Sequence, residues 1–414
     1  MILDEMSAKY EGLLRDESRM QGHAEAVARP SDTHALIQAV REAAARGMQL
    51  TTQGAATGLA GGAVPQGGLL LSMRGMNKIL GLREENGNYY LQAQAGVTFS
   101  QAEDYLRRPL GGKAWFLAQS PSEKSATLGG AFACNAMGIN RLRYGRFLDC
   151  VSGLTWVTPQ GELLRPGRGD ETLAQLAGSE GRLGVAAVLE LALQPVPGAN
   201  WGVFFFFGQL GRAKLFANAL ASGHLTACEY FDQASLELLQ ANLPENAREA
   251  IYIELSGEDE AALEDDLAQL LDVFNGRDED TWAADSLPEI EKFRAICHSV
   301  VELVNNEIDK AQVPGAVKYD LDFQSGRVWE QLDACREQAA RAGIPLYCFG
   351  HVLPGQAHVC PVPRSVEEKA ACEALMERWA ARVVEQGGLL AVENGFGKNK
   401  RQLMDLTQNH LRSK

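Results

Sequence analysis

The spacing of apolar positions predicts the first elements of the chain. Apolar residues recur at helical spacing in 35–46, and 31–33 supplies Ser, Asp and Thr as helix caps. Short apolar runs at 48–52 and 69–72 are typical of buried strands. Between these runs lies the segment 53–68, in which six of sixteen positions are glycine. The predicted order is therefore helix, strand, glycine-rich loop and strand.

Alternating and helical patterns continue as far as a proline-rich boundary at 195–198. They predict strands at 76–80, 89–95 and 186–193, a helix at 98–108 capped by Thr98, and a hairpin within 151–164 that turns at 159–161.

Beyond the boundary, strands and acidic helices come in pairs, which indicates an antiparallel sheet backed by helices. The predicted strands are 203–207, 250–255, 315–323 and 345–351, and 387–397 is predicted as a strand that runs into a glycine turn. The predicted helices include 212–222, 258–274, 328–342 and 365–386.

Charge and cysteine usage narrow the function classes. The net charge of −14 disfavours a nucleic-acid partner. No apolar run is long enough for a transmembrane helix, and Met1–Ser7 lacks the features of a secretory signal. The eight cysteines form no CxxC pair, which indicates reduced thiols. We expect a cytoplasmic protein, and peripheral docking at the inner membrane face is compatible with this composition.

Three glycine-rich stretches carry the first candidate chemistry. In 53–68, glycines allow successive backbone N–H groups to turn toward one anion, although a merely tight loop would look the same. The stretch 120–145 carries hydroxyls and the pair Gly129 and Gly130. It predicts either a second wall against a flat polar ligand or a closely packed helix entry. A third glycine-rich turn occupies 177–185.

Two histidines near the C-terminal end suggest metal chemistry. His351 and His358 flank a turn that contains proline and glycine, and a hairpin would bring them close. With Glu393, which ends an apolar run, they could bind a divalent metal with one open position. The alternative is that both imidazoles are solvated or hydrogen-bonded side chains. Cys360 shares the strand face of His358 and is a weaker candidate ligand.

Lys318 is a candidate cation in an acidic protein. It could meet a substrate carboxylate, or it could be a surface lysine on an edge strand.

Taken together, these motifs resemble those of the FAD-linked oxidases of the vanillyl-alcohol oxidase (PCMH) type. The similar stretches are 54–63, 121–130 with Asn135, 143–145 and 178–184, in the family's order. The late motifs at 318–320, 350–352 with His358, and 393–395 resemble the branch of D-2-hydroxyacid dehydrogenases, which includes D-lactate, D-2-hydroxyglutarate and glycolate enzymes.

The resemblance implies an α+β fold with FAD as its cofactor. It implies a two-subdomain FAD-binding domain at 1–197, an α+β substrate cap at 198–375, and a C-terminal segment at 376–414 that returns to the FAD domain. The implied FAD-binding residues are Gln53, Gly54, Ala55, Ala56, Thr57, Gly58, Leu59, Pro121, Ser122, Lys124, Ser125, Gly129, Gly130, Asn135, Gly138, Gly184 and Val185.

The implied reaction is oxidation of a small D-2-hydroxy acid to its 2-oxo acid, with hydride transfer to flavin N5. His351, His358 and Glu393 would hold Zn²⁺ or Mn²⁺, and Lys318 would meet the substrate carboxylate. The family usually has histidine as the base after the metal-binding glutamate, but this chain has Asn394, which cannot take a proton near neutral pH. His298 is a candidate replacement base, with an ordinary polar residue on a helix as its alternative.

Two other functions stay open. One is an FAD oxidase or dehydrogenase of another alcohol, without a metal. The other is a non-catalytic FAD-binding subunit of an electron-transfer complex, which Asn394 and the absence of the family's Asn-Pro-Gly-Lys tail before Lys414 favour. The expected partners are a small carboxylate substrate and an electron acceptor, either a quinone, a cytochrome or a flavoprotein. A homodimer and a subunit of a complex are both compatible with the sequence.

Overall fold

The computed structural model describes residues 3–239, 243–277 and 280–404. The expectations about both chain ends involve residues 1–2 and 405–414, which lie outside this range. The chain forms two compact units. The first unit comprises residues 1–138, 144–196 and 393–401, and the second comprises 139–143, 197–392 and 402–414.

The first unit contains two main sheets. Its strands are β1 (Asp4–Glu5), β2 (Ala26–Ala28), β3 (Leu50–Gln53), β4 (Leu69–Ser72), β5 (Ile79–Glu85), β6 (Asn88–Gln94), β7 (Trp115–Phe116), β8 (Val151–Val157), β9 (Leu163–Leu164), β10 (Val185–Ala192) and β11 (Gln194–Pro195). A four-stranded sheet has the order β1-β2-β4-β3, and β4 runs parallel to both β2 and β3. A five-stranded antiparallel sheet has the order β5-β6-β10-β8-β9, and β7 pairs with β11.

The helices that begin in the first half of the chain are α1 (Thr33–Ala45), α2 (Phe99–Leu106), α3 (Leu128–Cys134), α4 (Arg141–Tyr144), α5 (Phe147–Cys150) and α6 (Glu171–Leu176). Asp32 caps α1 and Thr98 caps α2, each by accepting a hydrogen bond from the backbone, as the sequence predicts. Buried apolar residues such as Leu36, Leu71, Phe99 and Leu189 form the core of this unit.

The second unit is built on one eight-stranded antiparallel sheet. Its strands are β12 (Ala199–Phe207), β13 (Leu225–Phe231), β14 (Glu249–Gly257), β15 (Thr281–Ala284), β16 (Leu321–Gln324), β17 (Leu346–Gly350), β18 (Gln356–Pro361) and β19 (Leu389–Leu390), in the order β15-β12-β14-β13-β17-β18-β16-β19. Its helices are α7 (Arg212–Ala219), α8 (Gln233–Leu238), α9 (Glu260–Phe274), α10 (Leu287–Ala311), α11 (Val328–Ala342) and α12 (Val366–Glu385). The predicted antiparallel sheet backed by helices is confirmed.

Alternation along β12 explains why helices pack on both faces of this sheet. Phe205 and Phe207 contact α7 and α9 through Phe216 and Phe274, with ring centroids 4.6–5.5 Å apart. Phe204 points the other way and packs against Phe293 of α10 at 5.4 Å. We call the face that carries Phe204 the α10 face.

Several element predictions were wrong in extent. The strand predicted at 76–80 begins only at Ile79, and the strand predicted at 315–323 begins only at Leu321. The run 387–397 forms a strand only at Leu389–Leu390. The 25-residue helix α10 was not predicted as an element, although proline near its N-terminus and buried Val300, Val304 and Ile308 give it a helical pattern.

All eight cysteines lie within the described part of the chain and all are free, as the sequence predicts. None of the described helices combines the length and the apolar composition that crossing a membrane requires.

Candidate functional site

The first unit contains a groove where its three glycine-rich stretches meet. Its walls are small side chains and exposed backbone, so a ligand can approach main-chain N–H groups closely. The lining residues are Thr52, Gly54, Ala55, Ala56, Thr57, Gly58, Ala60, Gly62, Ala63, Met73, Ala95, Ala126, Thr127, Gly129, Gly130, Ala133, Cys134, Trp156, Glu180, Gly181, Gly184, Val185, Ala186, Asn394 and Gly397.

Close packing of the loops explains two of the glycines. A Cβ on Gly54 would lie 2.2 Å from Oγ1 of Thr127, the residue whose hydroxyl caps α3. A Cβ on Gly129 would lie 2.7 Å from the Cβ of Ala95 and 2.9 Å from its carbonyl oxygen. Gly129 therefore packs closely at a helix entry and also lines the groove, and its contact with a flat polar ligand stays a prediction. The result is a groove lined by closely packed loops, which suits a phosphate-bearing ligand.

Nine of the residues predicted from the sequence to bind the cofactor line this groove. They are Gly54, Ala55, Ala56, Thr57, Gly58, Gly129, Gly130, Gly184 and Val185. The groove-lining set does not include Gln53, Leu59, Pro121, Ser122, Lys124, Ser125, Asn135 or Gly138.

Some of this second group have clear structural roles. Gln53 is fully buried, and its amide donates to the carbonyl oxygens of Leu13 at 2.8 Å and Ala63 at 3.0 Å. Asn135 ends α3 with a φ of 47° and accepts a hydrogen bond from the backbone nitrogen of Leu148 at 3.0 Å. These side chains shape the loops, and their direct contact with a ligand stays a prediction.

The sequence reasoning missed Glu180, Gly397 and Trp156 as groove residues. Glu180 could have been found, because it lies within the glycine-rich turn 178–184 and is the only acidic residue of that turn. Trp156 gave no signal, since a tryptophan in a buried strand normally belongs to the core.

Glu180 attaches a segment from the far end of the chain to the groove. Its carboxylate accepts hydrogen bonds from the backbone nitrogens of Phe396 at 3.1 Å and Gly397 at 2.7 Å. The same segment contains Asn394, so the Glu180 carboxylate helps to place this side chain at the groove.

Replacing Glu180 with glutamine is expected to loosen the segment 393–401. The amide keeps one acceptor but puts its own donor against a backbone N–H, and a hydrogen bond to a charged acceptor contributes roughly 1.5–3 kcal/mol. We expect limited trypsin digestion to cleave after Lys398, Lys400 and Arg401 about tenfold faster or more. The exposed Glu162→Gln variant is the matched control. Equal cleavage rates in both variants would contradict this role of Glu180.

The two predicted metal-binding histidines lie on the α10 face of the second unit. β17 and β18 form the predicted hairpin, with Phe349 opposite His358, and the two rings stack with centroids 5.1 Å apart. His351 follows the end of β17, and its Nδ1 pairs with a carboxylate oxygen of Glu229 on β13. His358 pairs through Nδ1 with a carboxylate oxygen of Asp320 at 3.0 Å.

The sequence analysis did not predict the partners of these histidines. Glu229 and Asp320 are 6% exposed each, so burial strengthens their pairing with the imidazoles. A carboxylate at Nδ1 fixes the ring orientation and presents Nε2 for coordination. The hydrogen-bonded alternative is therefore also correct for both rings. Cys360 lies on the same face, with its Sγ 3.7 Å from Asp320.

A complete metal site stays a prediction. Within the described residues of the second unit, no group of three or more His, Cys, Asp or Glu side chains is arranged to hold a metal ion. Glu393, the predicted third ligand, belongs to the first unit.

Lys318 and Arg294 are, respectively, a buried and a half-buried cation of the second unit. Lys318 is 8% exposed and lies in the loop before β16, so the alternative of a surface lysine on an edge strand is wrong. Arg294 on α10 binds both carboxylate oxygens of the buried Glu254, at 2.7 and 2.6 Å, and also contacts Glu291. Its charge is thus committed within the fold.

Two protein-family models match the chain, one in each half. The model described as "FAD binding domain" matches residues 24–167. The model described as "FAD linked oxidases, C-terminal domain" matches residues 202–411.

Curated relatives match along most of the chain. A D-lactate dehydrogenase from Anaerostipes hadrus is 27% identical, covering 94% of this chain and 85% of the relative. Glycolate oxidase subunit GlcD from Bacillus subtilis is 24% identical, with 93% and 83% covered. A mitochondrial D-2-hydroxyglutarate dehydrogenase from Danio rerio is 26% identical, with 92% and 73% covered.

Among solved structures, alkyldihydroxyacetonephosphate synthase shares the fold with a TM-score of 0.68. It is 15% identical, and the match covers 99% of this chain and 81% of that protein.

Proposed function

Because the chain belongs to the family of FAD-linked oxidases, we propose that it oxidises a small D-2-hydroxy acid to the 2-oxo acid. Relatives named for D-lactate, glycolate and D-2-hydroxyglutarate support this substrate class. The observation that carries the proposal is the pair of carboxylate-held imidazoles, His351 and His358, in the unit that also buries Lys318.

FAD fits the groove of the first unit. The glycine-rich backbone of 54–62 suits a diphosphate, because glycine lets main-chain N–H groups approach an anion closely. When bound, FAD supplies the two-electron acceptor for the substrate's α-hydrogen. The chain itself supplies geometry and the exclusion of water.

His351 and His358 are proposed to bind a divalent metal such as Zn²⁺ or Mn²⁺, and Glu393 is the third ligand that the family resemblance implies. The carboxylates of Glu229 and Asp320 orient the two imidazoles, as carboxylates commonly do for metal-binding histidines. Such a metal would make the substrate hydroxyl more acidic.

Lys318 is proposed to bind the substrate carboxylate. An ammonium and a carboxylate carry complementary charges, and the burial of Lys318 strengthens such an attraction. Asn394 can orient the substrate by hydrogen bonds but can accept no proton, so the metal has to lower the pKa of the hydroxyl.

The experiment that tests this proposal follows the absorbance of the bound flavin under anaerobic conditions. D-lactate, D-2-hydroxyglutarate and other D-2-hydroxy acids are added in turn, with the L-enantiomer of each as its matched control. Glycolate, which is achiral, is added separately. We expect at least one D-acid to bleach the flavin and its L-enantiomer to react far more slowly. If no acid bleaches it, with or without Zn²⁺ or Mn²⁺, the proposal fails.

Metal analysis separates this proposal from oxidation of another alcohol without a metal. We expect one metal ion per chain, which the His351→Ala variant loses. Metal-free protein that turns over at an undiminished rate would favour the alternative.

A second candidate function is an FAD-binding subunit of an electron-transfer complex. Asn394 favours it, because this chain lacks the family's usual proton acceptor at that position. Full turnover by the isolated chain with an artificial electron acceptor would eliminate this candidate.

A further inference from the structure

Two adjacent residues, Lys398 and Asn399, donate hydrogen bonds to four consecutive carbonyl groups of the first glycine-rich loop. The carbonyl oxygen of Ala60 accepts from the backbone nitrogens of Lys398 at 2.8 Å and Asn399 at 3.2 Å. The Lys398 ammonium donates to the carbonyl oxygens of Gly61 at 3.3 Å and Gly62 at 3.0 Å. The Asn399 amide donates to Leu59 at 3.2 Å.

These hydrogen bonds fix the direction of the peptide groups in the loop. In a trans peptide the N–H points opposite to the C=O, so holding the carbonyl oxygens of 59–61 turns the N–H groups of 60–62 away from Lys398 and Asn399. The N–H of Ala63 is bonded to the Asp16 carboxylate instead. Ala60, Gly62 and Ala63 line the groove. Successive N–H groups directed to one side form an anion-binding concavity.

Lys398 also places a positive charge behind the loop. Burial lowers the pKa of its ammonium, and the Asp16 carboxylate opposes that shift. Asp16 is itself attached to the loop, through the backbone of Ala63. The ammonium thus adds to the field of the loop amides on the side opposite the groove.

Tight packing leaves the segment little freedom to move. Gly397, just before Lys398, has a φ of 54°, and a Cβ there would lie 2.0 Å from the carbonyl oxygen of Ala60. The Oδ1 of Asn399 is buried without a hydrogen-bond partner in the described residues, so the amide group is held by its donor side alone.

We propose that Lys398 and Asn399 are positioning residues for the diphosphate of FAD, acting by holding the carbonyl groups of 59–62 away from the groove. Their contribution is specific to the diphosphate and is independent of the substrate. The inference rests on FAD binding in this groove and on nothing assigned to the second unit.

The test measures the affinity of the apoprotein for FAD by fluorescence quenching, with ADP and AMP as competitors. ADP carries the diphosphate and AMP does not. For Lys398→Met, we expect FAD and ADP to bind about ten- to a hundredfold more weakly, since a charged donor to two carbonyls is lost. AMP is expected to change by less than about twofold. Asn399→Asp, which has the same shape, should weaken FAD and ADP at least as much, because a carboxylate would face the Leu59 carbonyl.

Two further variants separate positioning from general stability. Lys398→Arg keeps a charged donor and is expected to restore most of the FAD affinity, while Lys113→Met removes an exposed lysine and should change nothing. An equal loss of ADP and AMP affinity in the Lys398 and Asn399 variants would overturn the proposal, as would wild-type protein that binds ADP no better than AMP. A negative substrate panel would leave these measurements unaffected, so the two proposals fail independently.

Discussion

The His351→Ala variant is expected to reduce its bound flavin at least about a hundredfold more slowly with the D-2-hydroxy acid that reduces the wild type. The alanine removes a proposed metal ligand and leaves the buried Glu229 carboxylate without its imidazole partner. FAD content should be unchanged, because His351 lies in the second unit and the cofactor groove is lined by the first. Anaerobic stopped-flow absorbance and metal analysis of the same preparation measure both effects.

Two variants sharpen this prediction. Glu229→Gln keeps the hydrogen bond to His351 in weakened form, and loss of a carboxylate that orients a metal-binding imidazole is expected to reduce metal affinity about 10–100-fold. His34→Ala is the control, since His34 is an exposed histidine on α1 in the first unit. Full flavin reduction by His351→Ala would show that His351 neither binds a catalytic metal nor contacts the substrate.

Local chemistry explains which parts of the fold could be predicted. Three features depend on residues a few positions apart. They are the caps at Asp32 and Thr98, the hairpin of β17 and β18, and the glycine-rich loop after β3. Their conformations follow from spacing, capping and φ preferences that the sequence displays directly.

The missing parts depend on contacts that spacing does not reveal. Glu229 is 122 residues from its partner His351, and strand alternation alone does not say which strands are neighbours. The bonds from Lys398 to the glycine-rich loop cross 336 residues or more. The motif resemblance implies only that the segment 376–414 returns to the FAD domain, whereas the fold places Lys398 and Asn399 on the loop carbonyls.

Introducing histidine at position 394 is expected to accelerate flavin reduction about 10²–10⁴-fold, which is the usual contribution of a positioned general base. Asn394 lines the cofactor groove, and its amide has no basic nitrogen. Asn394→His would supply an imidazole that can take the hydroxyl proton as hydride leaves. The expected gain tests whether the wild type lacks only this group.

The pH dependence gives the sharper measurement. An unperturbed imidazole has a pKa of about 6.5 and acts as a base when neutral, so the rate of Asn394→His should rise as pH increases from about 5.5 to 7.5. The wild type carries no titrating group at this position, and it should lack that ascending limb. Asn394→Gln is the matched control, because it changes the size of the side chain but adds no base. If the Asn394→His variant is no faster and its pH profile matches that of the Gln variant, proton removal at residue 394 does not limit this enzyme.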